Sequence, residues 1–210
     1  MPGSRDGGLL VVLSGPSGVG KDTVVVRATA GRAEGARRLR RSVSVTTRKP
    51  RPEESEGTHY FFRSPQEFER MVRDGELLEW ASYLDHRYGT PRTWVDRQLA
   101  AGYDVVLEIE VKGAMQVRER RPEAVLIYML PPSWRALRRR LATRRSEEKG
   151  MQDRRLAVAR QELRHVREYD YVIVNDRVPR AAQRLLAILV AERARANRWD
   201  PGSLAGEADG

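Results

Sequence analysis

The run LLVVLSGPSGVGKDT, residues 9–23, restricts the fold more than any other part of the chain. Its first half is apolar without polar alternation, which suits a strand buried on both faces of a parallel sheet. The spacing G-x-x-x-x-G-K follows at once, from Gly15 through Gly20 to Lys21, with Gly18 between them. Glycines permit a tight turn whose backbone N–H groups point inward. A helix N-terminus after the turn adds dipoles that favour an anion. The next segment, DTVVVRATA, supplies that helix, although Val24, Val25 and Val26 oppose it on propensity.

The remaining pattern extends this start into an α/β domain. YDVVLEIEV, AVLIYML and YDYVIVND read as further buried strands. Between and after them, SPQEFERMVRDG, PRTWVDRQLAAG, PPSWRALRRRLATR, MQDRRLAVARQELRHVREY and RVPRAAQRLLAILVAERARA carry helical periodicity. Strands alternating with helices imply a parallel sheet flanked by helices, the architecture of P-loop nucleotide-binding proteins. The stretch from Arg40 to Tyr60 differs: β-branched alternation, a loop rich in Pro and Glu, then aromatics. It reads as a small inserted β element.

Composition narrows the chemistry. The chain has no cysteine, which excludes disulfides and thiolate metal sites, and its three histidines are scattered, so any metal is expected to be a hard cation held by oxygen. No stretch reaches the roughly 18 consecutive apolar residues of a membrane helix, and the first residues lack a secretory apolar segment. A cytoplasmic protein without a membrane partner is the expectation. The net charge of +10 suits nucleic acid or small polyanions. No recognition helix or basic strand interleaved with aromatics is present, and small anions are the expected partners. Of 39 basic residues only Lys21, Lys49, Lys112 and Lys149 are lysine. Lys21 at the loop is thus an exception in an arginine-dominated chain: a compact, flexible ammonium reaches between phosphates where a planar guanidinium fits poorly.

Downstream of the loop, SVSVTTRKPR, EGTHY, LLEWA, RYGTP and LEIEVKG follow in order, then RRLATRR, DRRL and VIVND. With these segments and their spacing from Gly15 to about Asp176, the sequence resembles the guanylate kinases. The resemblance implies ATP-dependent phosphorylation of GMP and dGMP, with Mg2+ as cofactor. It implies a core at 9–39, 100–132 and 156–198, an inserted GMP-binding α+β segment at 40–99 and a helical lid at 133–155. The ends, 1–8 and 201–210, have the composition of disordered tails.

Site residues carry over by position. The ATP phosphates are expected at Gly15, Pro16, Ser17, Gly18, Val19, Gly20, Lys21, Asp22 and Thr23, with Arg140 and Asn175 also on the ATP side. Glu79 matches the residue that accepts the paired N–H donors of guanine, and Ser44 and Thr90 match its hydroxyl partners at the base. Adenine lacks that donor edge, and a buried unpaired carboxylate rejects it. Arg48, Arg51, Tyr60 and Tyr88 match the clamp on the GMP phosphate. Lys21, Arg51, Arg144 and Arg155 match the cations that attend phosphoryl transfer.

Four positions depart from the family pattern. Asp22 stands where a Ser or Thr hydroxyl usually meets magnesium. Its carboxylate has three readings: a direct magnesium ligand, an acceptor for metal-bound water, or a structural acid at a helix N-terminus. Glu108 and Glu110 stand where the family usually has Asp, near the GMP and metal sites, and Glu53 replaces a common Gly. A ribose 1,5-bisphosphate phosphokinase, whose loop also carries Lys-Asp, and a guanylate-kinase-like binding module without catalysis are the competing readings. The intact guanine set argues against the first, and Lys21 with the lid arginines against the second.

Overall fold

The computed structural model describes residues 7–31, 38–83, 85–142 and 149–198. Among these, five strands form the central sheet: β1 (Leu10–Ser14), β2 (Leu39–Arg41), β7 (Asp104–Glu108), β8 (Val125–Leu130) and β9 (Tyr171–Val174). They are all parallel and lie in the order β2-β7-β1-β8-β9. Every residue of β1 is buried. Val11 and Leu13 enter one core with Val24, Val25 and Ala28 of α1 (Lys21–Thr29) and with Leu185 and Leu189 of α7 (Val178–Arg193). Leu10 and Val12 enter the other core, with Val95 and Leu99 of α3 (Arg92–Ala100) and Ala114 and Val117 of α4 (Val111–Arg120). The unalternating apolar run therefore has its cause in two-sided burial. The same burial overrides the poor helix propensity of the α1 valines, two of which are fully enclosed.

A second sheet carries the insertion. It comprises β3 (Ser44–Thr46), β4 (Tyr60–Phe62), β5 (Leu77–Tyr83) and β6 (His86–Pro91), in the order β4-β3-β6-β5. The helix α2 (Pro65–Arg73) begins in a Ser64–Glu67 capping box with Pro65 at its first turn, and buries Phe68 and Met71 beneath this sheet with Val45 and Leu77. α5 (Trp134–Ala142) and α6 (Lys149–Glu162) pack through Leu137, Leu141, Leu156 and Ala159, and a 3-10 turn over Leu163–Glu168 leads to β9.

The sequence expectations differ from the structure in three places. The segment YDVVLEIEV does not run as one strand: β7 stops at Glu108, and Glu110 is the N-cap of α4, a helix absent from the sequence reading. Val111, Ala114 and Val117 recur at helical spacing, but Gly113 and the preceding apolar run mask the period. The insertion has a four-stranded sheet that continues to Pro91, well past Tyr60. The long helix expected to reach Tyr169 changes to a 3-10 turn at Leu163. β2 straddles the boundary at residue 39, and Gly8, with the composition of a tail, donates its N–H to the Leu99 carbonyl at 2.8 Å. The other residues expected to form disordered tails, apart from Gly7, lie outside those described.

Asp104 joins three elements at the edge of the core. Its side chain is fully buried; Oδ1 accepts the Leu9 N–H at 2.7 Å and a guanidinium N–H of Arg193 at 2.5 Å. Replacing it by alanine strands a backbone donor and a cation that is only a quarter exposed. Asp104→Ala is expected to lower unfolding free energy by about 2–4 kcal/mol in urea titration. Arg70→Ala, which removes exposed pairs with Asp74 and Glu76, is expected to leave the unfolding midpoint nearly unchanged in the same assay.

Candidate functional site

The phosphate loop is built from three left-handed glycines. Gly15, Gly18 and Gly20 have φ of 146°, 79° and 94°, values that L side chains rarely adopt. Crowding adds a second reason, because a Cβ on Gly15 would lie 2.3 Å from the Met129 carbonyl oxygen. Gly20 caps α1, so the loop ends on a helix N-terminus as its sequence requires. The loop is held from behind. The Val19 carbonyl accepts from Asn175 Nδ2 at 2.8 Å and from Arg140 Nη1 at 3.0 Å, and Arg140 Nη2 donates to the Asn175 carbonyl at 3.0 Å. Val19 itself is buried, and Pro16 accepts its N–H. Lys21 Nζ donates to the Gly15 carbonyl at 2.5 Å, back across the loop. Asp22 and Thr23 are exposed in the first turn of α1, and Ser17 is exposed on the loop.

Strand register gathers the acceptor residues. Ser44 lies opposite Tyr60, Thr46 opposite Tyr88, and Thr90 opposite Glu79. Directly opposed residues, and those two apart along a strand, share a sheet face. The alternation thus places Ser44, Tyr60, Tyr88, Thr90 and Glu79 on one face, while Val45 on the other packs on α2.

At one end of this face is the clamp. Arg48 Nη2 donates to both carboxylate oxygens of Glu54, at 2.7 and 2.9 Å, and its guanidinium carbon sits 5.5 Å from the centre of the Tyr60 ring. Tyr60 and Tyr88 meet edge to face with centroids 6.1 Å apart. Burial pushes the Tyr60 phenol up, so it remains a hydrogen-bond donor. The Arg48 hydrogen bonds, reinforced by the Arg51 N–H, pull the Glu54 carboxyl down to about 2. Arg51 is exposed beside it. Glu54 was not singled out in the sequence; its only signal there is a Glu placed between the clamp residues in the Pro-rich loop.

At the other end Glu79 is buried, with Oε1 accepting the Thr90 hydroxyl at 2.7 Å. Desolvation raises its carboxyl to about 7; Thr90 and the charge of Arg120 oppose the rise, and Glu110 adds to it. Gly113 provides the space, since a Cβ there would lie 2.5 Å from Glu79 Oε2. α4 is stitched to β5 alongside: Gln116 exchanges hydrogen bonds with the Trp80 N–H and carbonyl, and Arg120 donates to the carbonyls of Leu77 and Leu78.

Between the two halves lies Glu108, its side chain 10% exposed, with Arg41 Nε 2.8 Å from Oε1. Burial raises its carboxyl, Asp22 adds to the rise, and Arg41 and Lys21 oppose it. Glu110 is exposed at the start of α4. Arg155 is half-buried on α6. Arg144 lies outside the described residues. The structure thus has a glycine loop ending on a helix N-terminus and, on the small sheet, an arginine–tyrosine cluster with a buried carboxylate farther along the same face. It brings Arg140 and Asn175 to the back of the loop.

Three comparisons bear on this arrangement. The family model described as guanylate kinase matches residues 8–192. A guanylate kinase of Desulfitobacterium hafniense is 46% identical over 191 residues, 91% of this chain and 94% of the relative. One from Bacillus anthracis is 48% identical over 191 residues, 91% of this chain and 92% of that one. The crystal structure of guanylate kinase from Anaplasma phagocytophilum is similar at a TM-score of 0.75 and 32% identity, covering 99% of this chain and 97% of that one.

The burial of Glu79 has a consequence for stability. Its carboxyl titrates at about 7 in the folded chain against 4.5 ordinarily, so between those values the folded state keeps a proton that the unfolded state has lost. Stability from this group is complete below about pH 4.5 and is lost as pH rises through about 7. Relative to Glu79→Gln, the parent is expected to lose about 3 kcal/mol of unfolding free energy between about pH 4.5 and about 8 in urea titrations. Parallel pH profiles for the two proteins would contradict the buried setting.

Proposed function

This chain belongs to the guanylate kinase family, and from that premise we propose that it moves the γ-phosphoryl group of ATP to the phosphate of GMP, giving ADP and GDP. The observation that carries this reading is Glu79: a carboxylate buried beside Thr90 at the far end of the acceptor face, where guanine presents two adjacent N–H donors. GMP binds with its base at Glu79, Ser44 and Thr90 and its phosphate at Arg48, Arg51, Tyr60 and Tyr88. dGMP is a second acceptor, because base recognition leaves the 2′-hydroxyl aside. Glu108 and Glu110 border the nucleoside between base and phosphate.

ATP lays its phosphates in the glycine loop, where backbone N–H groups and Lys21 replace water, and Lys21 exchanges the Gly15 carbonyl for phosphate oxygen. Arg140 and Asn175 keep the loop in shape by holding Val19. An oxygen of the GMP phosphate then forms a bond to the γ-phosphorus as the bond to the β,γ-bridging oxygen breaks, and ADP departs with that electron pair. The protein's part is alignment and neutralisation of charge, with no covalent participation. Arg51 on the acceptor side and Arg144 and Arg155 from the lid supply cations as charge develops on the transferring group.

Magnesium fits the donor set. No group of three or more His, Cys, Asp or Glu side chains suited to a metal occurs among the described residues, and Mg2+ characteristically takes one or two carboxylates, with phosphate oxygens and water completing its shell. Asp22, through water, and the Thr23 hydroxyl would hold it; when bound it neutralises charge on the β and γ phosphates. Among the described residues no helix is long and apolar enough to cross a membrane, and the cytoplasm is the proposed setting.

A coupled assay of ADP formation tests the reading. GMP is expected to be turned over in strong preference to AMP, CMP, UMP and ribose 1,5-bisphosphate. Glu79→Gln turns one acceptor into a donor facing the guanine donors, with an expected loss of about 2–4 kcal/mol in kcat/KM for GMP. Arg155→Ala is expected to lower kcat by about 10²-fold with little change in GMP binding, since its interaction strengthens in the transition state. Equal turnover of AMP, or unaltered GMP use by Glu79→Gln, would remove the guanine reader.

A further inference from the structure

Asp22 and Glu108 are far apart in sequence, and the fold joins them through one side chain. Arg41, the last residue of β2, places Nη1 2.7 Å from Asp22 Oδ1 and Nε 2.8 Å from Glu108 Oε1. The parallel register of Arg41 with Val106 sets this guanidinium beside β7, just before that strand ends at Glu108. The Glu108 contact is an ion pair without hydrogen-bond alignment. Arg41 and Asp22 are both more than half exposed, and pairs of that kind contribute little to folding. The Arg41–Asp22 half of the bridge therefore supplies little stability.

Its position supplies more. On one side Asp22 follows Lys21 at the start of α1; on the other, Arg41 lies within electrostatic reach of the Tyr60 phenol in the acceptor clamp. The guanidinium thus stands between the loop that takes ATP and the clamp that takes the GMP phosphate. Lys21, Arg41, Asp22 and Glu108 together sum to zero charge. Without Arg41 the same group carries a net negative charge at the entrance for two polyanions, and the 10%-exposed Glu108 loses its nearest cation.

We propose that Arg41 is a positioning residue that neutralises Asp22 and Glu108, letting donor and acceptor phosphates approach each other across two carboxylates. This inference rests on the kinase reading above. An acid on the loop and an acid at the end of β7 are compatible with phosphate binding because a single arginine spans both.

The test compares the parent with Arg41→Met, Arg41→Lys and the double variant Arg41→Met/Asp22→Ser. ATP affinity is measured by calorimetry in EDTA, which removes any effect routed through metal, and the GMP KM and kcat are measured separately. Arg41→Met is expected to weaken ATP in EDTA by about tenfold and to raise the GMP KM several-fold, both effects shrinking as salt is added. The double variant is expected to return ATP affinity to within about threefold of the parent, and Arg41→Lys to stay near it. Unchanged ATP affinity in Arg41→Met, or a double variant as weak as the single, overturns the proposal. The ATP measurement needs no acceptor, so a parent that fails to use GMP sinks the kinase reading alone.

Discussion

A carboxylate kept out of water beside Thr90 is costly, and much of the acceptor half is arranged around it. Glu79 is 4% exposed, its one hydroxyl donor is Thr90, and that pairing follows from cross-strand register. The helix over it carries glycine at 113, because a methyl group there would collide with Oε2. Arg120 sits where its charge moderates the burial while its N–H groups close the start of β5. Isolated burial of this kind destabilises the free chain. On the proposed reading, a guanine edge would deliver two N–H donors to the same carboxylate and offset the penalty, giving affinity and selectivity for the base a common origin.

The donor half uses the opposite strategy, with charge kept near the surface and backbone geometry fixed. Three positive-φ glycines define the loop, and two side chains from elsewhere lock it by sharing the Val19 carbonyl. Since Arg140 belongs to α5 and Asn175 follows β9, both the base of the lid and the edge of the main sheet bear on the loop. Its conformation is thereby tied to packing on two sides. Pre-formed N–H donors lose little freedom when phosphate arrives, which is what a reaction dependent on alignment requires.

Features carried by local chemistry were legible in the sequence. β1 announced itself by an unalternating apolar run, the loop by glycine spacing, and Lys21 by being a lysine at all among arginines. Glu79, Thr90, Tyr60, Tyr88 and Arg48 were identified by resemblance, and register then explains why they can cooperate. Features that exist only through long-range contact were not legible. Gly113 is one helical glycine until Glu79 is placed beside it, and Glu54 is one acid in a polar loop until Arg48 grips it. Arg41 reads as one more surface arginine because nothing local connects residues 22 and 108. α4 escaped because its apolar period begins directly after a strand of the same character. The strands β5 and β6 carry polar residues on their site face, so alternation alone understates them.

The titration of Glu79, followed by 13C NMR of its labelled side-chain carboxyl, tests the central claim most directly. In the free protein the resonance is expected to titrate near pH 7, and saturating GMP is expected to hold it in the ionised form at and below that pH, because guanine donates only to the carboxylate. A free-protein midpoint at the ordinary 4.5, or a midpoint that GMP leaves where it was, would contradict a buried carboxylate that reads guanine.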